Sequence, residues 1–79
     1  NMEKLELPKD IKDKILATCV NKVLCLEAMK YVYLVKKDDG TLDVAEEFDN
    51  IDYHALWFVV LSVVNKARRL LRGESIEDI

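Results

Sequence analysis

The stretch Tyr31-Val32-Tyr33-Leu34-Val35-Lys36-Lys37-Asp38-Asp39-Gly40-Thr41-Leu42-Asp43-Val44 decides between two folds. Tyr31 to Val35 has the aromatic and β-branched composition of a strand, and Thr41 to Val44 forms a second short run. Between them lies Asp38-Asp39-Gly40, a turn sequence whose glycine supplies the left-handed backbone that tight hairpin turns require. This predicts a short β-hairpin over about 31–44. The competing reading is one long helix from Pro8 to Lys37, with Lys36 and Lys37 at the negative pole of its dipole and Gly40 near its C-cap. An isolated two-stranded hairpin is marginally stable, so this one must lie on helices or pair with a second subunit.

Upstream, Pro8-Lys9-Asp10 reads as a helix entry, because proline in a first turn loses no hydrogen bond. At about 100° per residue, Ile11, Ile15, Leu16, Cys19, Val20, Val23 and Leu24 share one face, with Asp10, Lys14, Thr18, Asn21 and Lys22 opposite. An amphipathic helix over about 9–29 is expected, with a change of phase beyond Cys25 where Leu26 and Met29 leave the stripe.

Downstream, Asp49, Asn50 and Asp52 are candidate N-caps for a second helix over about 52–72 that stops at Gly73. Its apolar residues cover more than half of its circumference, as only a helix with neighbours on several sides does. The fold class expected is therefore mainly α, with α+β possible: two amphipathic helices and a hairpin between them, the alternative being an all-α helical bundle. Glu74 to Ile79 reads as a loose or docking tail.

Seventy-nine residues, 51% of them hydrophobic, with two glycines and one proline, exclude collagen-like, low-complexity and disordered classes. One domain over 2–79 is expected, with Asn1 before Met2 read as a cloning remnant. A chain this short buries only about 60% of its unfolded surface and usually needs a staple, a metal or a partner. On one continuous helix Cys19 and Cys25 would lie on different faces, which argues against a disulfide and for two reduced, buried thiols in a cytosolic protein. The longest apolar run, Ala55 to Val64 with Ser62 included, is about half of the ~20 residues a bilayer requires, so no membrane association is expected.

Chemistry-bearing residues are few. Cys19, Cys25 and His54 lack the paired short spacing of a structural zinc site. Aligning Gly40 with the invariant glycine of a calcium-binding loop puts Val35 and Lys37 at ligand positions, so Asp-Asp-Gly reads as a turn. His54 has Asp52 two residues before it, a spacing that places them on different helix faces, and no nucleotide-binding or zinc-hydrolase motif occurs. No metal, no cofactor and no enzymatic activity are expected.

Charge is distributed unevenly within a net −3. No lysine or arginine occurs from Asp38 to Asn65, whereas Lys66, Arg68, Arg69 and Arg72 cluster at the end of the second helix. That cluster is a candidate contact for an anionic partner; helix-end cations also favour the dipole by about 0.3–1 kcal/mol each without any partner. The acidic balance argues against nucleic acid as the principal partner without excluding it. The segment Asn65 to Gly73 is similar to the basic helix end of the small omega subunit of bacterial RNA polymerase, over that segment alone, and no fold or function is carried over from it.

The expectation is a small cytosolic interaction or regulatory protein that self-associates, with a dimer favoured, through Trp57, Phe58, Val60, Leu61 and Val64. The alternative is a nucleic-acid-binding regulator that uses Lys66, Arg68, Arg69 and Arg72.

Overall fold

A computed structural model of the chain describes residues 3–48 and 54–76. Pro8, in an extended conformation, precedes α1 (Lys9–Thr18), and its carbonyl accepts the Lys12 N–H at 3.0 Å. Ile11 and Ile15 of the expected stripe are buried. The expected single helix over 9–29 is then interrupted: Cys19 is extended, and α2 (Lys22–Met29) begins anew. The reason is local. Asn21 turns its side chain back to accept the Leu24 N–H at 3.0 Å, which caps a new helix instead of continuing the old one. The break leaves Val20 and Val23 of the predicted stripe outside, keeps Cys19 and Leu24 partly buried against the core, and buries Cys25, Ala28 and Met29.

The hairpin forms and the all-α alternative is not supported. Strand β1 (Val32–Lys36) pairs antiparallel with β2 (Leu42–Glu46), Leu34 opposite Val44. The connection closes with the Lys37 N–H donating to the Thr41 carbonyl at 2.7 Å and the Gly40 N–H to the Lys37 carbonyl at 3.0 Å. Gly40 has φ +86°, a left-handed backbone that a side chain would strain. Asp39 completes the turn by accepting both the Thr41 N–H and its hydroxyl, at 3.0 and 2.6 Å. Alternation places Val32, Leu34 and Val44 on the buried face.

On the outer edge of β1, Leu5 exchanges both backbone hydrogen bonds with Leu34, so the segment before Pro8 closes that edge. Leu7, next along, is buried. The sequence pattern gave no periodicity there to reveal either role.

Helix α3 (His54–Leu71) carries Leu56, Val60, Val63, Val64 and Ala67 inward. It packs on α2, the hairpin and α1, and its buried residues join those of every other element in one core. At its end Gly73 takes φ +83°, the Gly73 N–H donates to the Leu70 carbonyl and the Glu74 N–H to the Arg69 carbonyl, each at 3.0 Å. These are the paired bonds of a glycine-terminated helix. The N-caps expected at Asp49, Asn50 and Asp52, and the last residues of the expected tail, lie outside the described residues.

Candidate interaction site

Helix geometry divides the five residues expected to mediate self-association. Val60 and Val64, at 0% and 3% exposure, belong to the chain's own core and are closed to any partner. Trp57 and Phe58, 45% and 65% exposed, lie on the outer side, and Leu61 is half-buried between the two sets. The Trp57 and Phe58 rings meet edge to face, centroids 5.3 Å apart and planes at 74°. Val20, fully exposed at the α1–α2 break, borders the same groove as Phe58, so a contiguous apolar surface spans the break and the first half of α3.

That groove encloses about 340 Å³ and is also lined by Cys19, Cys25, Ser62 and Lys66. Here the expectation of two free thiols is corrected: Cys19 and Cys25 form a disulfide, their Cα atoms 6.5 Å apart. A continuous helix would have held them on different faces. The extended backbone at Cys19 removes that constraint and turns the first sulfur back toward the second.

The basic cluster is largely occupied within the chain. The Arg68 guanidinium donates to Asp43 Oδ1 at 3.4 Å and to the Val44 carbonyl at 3.0 Å. Arg69 and Arg72 both pair with Glu74, at 3.5 and 2.9 Å. Lys66 differs: its Nζ donates to the Thr18 hydroxyl at 3.2 Å, and among the described residues no carboxylate pairs with it.

Arg68 has a second role that its position in a basic run did not reveal. Because Leu34 directs its N–H and C=O outward to Leu5, the facing Val44 directs its own away from β1, onto the sheet edge that no other strand covers among the described residues. Arg68 covers that carbonyl and Asp43 covers the N–H, at 3.0 and 2.8 Å, so the edge is closed by side chains at this point. The Val44 N–H holds the Asp43 carboxyl below its usual range against the opposing effect of burial, with Arg68 and Lys37 acting in the same lowering direction. Asp39 is lowered in the same direction by its bonds to Thr41, and Lys30 is raised by the Glu27 carboxylate, 2.9 Å away.

A second groove, of about 380 Å³, runs between the N-terminal segment and the hairpin over Met29 and Val32. Its lysines are each matched by a carboxylate: Lys4 by Glu47, Lys12 by Glu6 and Lys30 by Glu27. Its rim offers no unbalanced charge to a ligand. Lys4 also stands 4.8 Å from the centre of the Tyr33 ring.

His54 is exposed at the start of α3. Among the described residues, no group of three or more histidine, cysteine, aspartate or glutamate side chains is arranged to hold a metal, and no helix is long and apolar enough to cross a membrane. No protein-family model matches the chain, and neither a curated protein nor a solved structure matches it either.

Proposed function

We propose that the protein is a non-enzymatic binding module that associates with a second copy of itself through the outer face of α3. The observation that carries this is the exposure of Trp57 and Phe58 on a chain whose other elements share one buried core. Aromatic side chains dominate the energetic centres of protein interfaces, and a contiguous apolar surface marks a contact site.

A second copy is favoured by the order of residues along this face. Turn by turn, the exposed strip runs from Trp57 and Phe58 through Leu61 and Asn65 to Arg68 and Arg72. Antiparallel pairing of two such helices about a two-fold axis brings the aromatic end of one against the basic end of the other. The rings then lie on the aliphatic stems of Arg68 and Arg72, and the contact forms twice from one patch.

Sedimentation equilibrium tests this. The wild type is expected to show a concentration-dependent dimer, and Phe58→Glu a folded monomer, because Phe58 contributes little to the protomer's own core. A wild type that remains monomeric at millimolar concentration overturns the reading.

The nucleic-acid alternative has weaker support, since three of its four cations are engaged by Asp43 or Glu74. As for location, a cytosolic setting suits a reduced cysteine pair, whereas the bridged pair suits an oxidising one.

A further inference from the structure

We propose that Cys19 is a thiol–disulfide exchange site for small acidic thiols, with Cys25 as the resolving sulfur and Lys66 as the anion contact. The proposal does not require self-association; Phe58 borders both surfaces, so a second copy seated there would reach the rim of the groove.

Access separates the two sulfurs. Both cysteines border the groove, but Cys25 is fully buried in the first turn of α2, whereas Cys19 is half-buried where the chain leaves α1. An incoming thiolate therefore meets Cys19 Sγ, and Cys25 is the leaving sulfur. Lys66 lines the same groove and is bonded to Thr18, the residue before Cys19. Its charge, free of any carboxylate among the described residues, favours a thiolate over a thiol and attracts the carboxylates of its carrier. The groove volume, about 340 Å³, is at the lower end of ligand-pocket sizes and suits a molecule no larger than a tripeptide.

The reaction balances without an additional redox partner. A thiolate RS⁻ attacks Cys19 Sγ, forming a Cys19–S–S–R bond as the Cys19–Cys25 bond breaks. The bonding pair goes to Cys25 Sγ, which takes a proton from water. A second RS⁻ attacks the R-bearing sulfur and releases RSSR and the Cys19 thiolate, which is then protonated. The protein has gained two electrons, and two RSH have been oxidised to RSSR. In the opposite direction RSSR is the oxidant: the Cys19 thiolate attacks it, and the Cys25 thiolate then attacks Cys19 Sγ, with release of the second RS⁻. The Cα separation of 6.5 Å allows Cys25 to resolve the mixed disulfide without backbone rearrangement.

The test uses the full oxidised chain with reduced glutathione as the acidic thiol and 2-mercaptoethanol as the neutral one. Acid-quenched samples are followed by intact mass and peptide mapping. The expected mixed disulfide maps to Cys19. The glutathione-to-mercaptoethanol rate ratio is expected to fall roughly threefold in Lys66→Gln, and by a similar factor for the wild type in high salt. The neutral thiol reports any loosening of the fold, so the ratio remains informative if the variant is less stable. A mixed disulfide on Cys25, a bond that resists both thiols, or a ratio that Lys66→Gln leaves unchanged would overturn the proposal. Sedimentation measures self-association separately, so either idea can fail alone.

Discussion

Replacing Val60 by alanine and, in a separate protein, Phe58 by alanine distinguishes a core residue from a contact residue on the same helix. Val60 is fully buried, so its truncation removes about two methyl equivalents at about 0.8 kcal/mol each and leaves a cavity, for a total of roughly 2–3 kcal/mol. In a domain of this size that lowers the melting temperature by roughly 10–20 °C. Phe58 keeps 65% of its surface exposed, so about a third of a full burial free energy of about 1.5–3 kcal/mol is at stake, roughly 0.5–1 kcal/mol in the protomer. Urea and thermal denaturation at a low and a high protein concentration measure both effects. Val60→Ala is expected to destabilise equally at either concentration. Phe58→Ala is expected to lose the concentration dependence of the wild type, because association stabilises only the folded form that associates. A Val60→Ala protein within half a kcal/mol of the wild type, or a Phe58→Ala protein destabilised as much as Val60→Ala at low concentration, would refute this division of the helix.

The remaining expectations concern the other devices of the fold. Asn21→Ala removes the cap of α2 and should cost about 1 kcal/mol by urea denaturation; no measurable cost would mean that the helix break is not held by Asn21. Arg68→Met opens this edge of β2 and, after allowance for its half-exposed side chain, should cost about 1 kcal/mol; light scattering should also show aggregation that the wild type lacks. Because the folded-state pKa of Asp43 is lowered, its contribution is present above the usual carboxylate value of 3.8 and is lost as pH falls through the lower folded value. Urea midpoints measured across the acid range should therefore fall less steeply in Asp43→Asn than in the wild type, and parallel curves would remove Asp43 from the acid response.

Long, unbroken patterns were the legible part of this sequence. The hairpin could be read because strand-forming residues flank a glycine turn, and α3 because a long apolar run ends at a glycine stop. The break after Thr18 does not show in the pattern, because Val20 and Val23 fit the phase of α1 as an unbroken stripe. The signal that marks it is Asn21 ahead of Lys22-Val23-Leu24, an N-cap that competes with helix continuation. The disulfide was hidden by the same assumption, since its geometry exists only once the helix is broken. The Arg68–Val44 bond and the Leu5–Leu34 bridge join segments distant along the chain, and no local pattern encodes such a meeting.

Trp57 is the chain's single tryptophan, and it lies on the surface assigned to the second copy, so its fluorescence tests the central claim most directly. As protein concentration rises, the emission maximum is expected to move to shorter wavelength and quenching by acrylamide to weaken, with both changes absent in Phe58→Glu. Emission and quenching that stay constant across the concentration range would contradict the account.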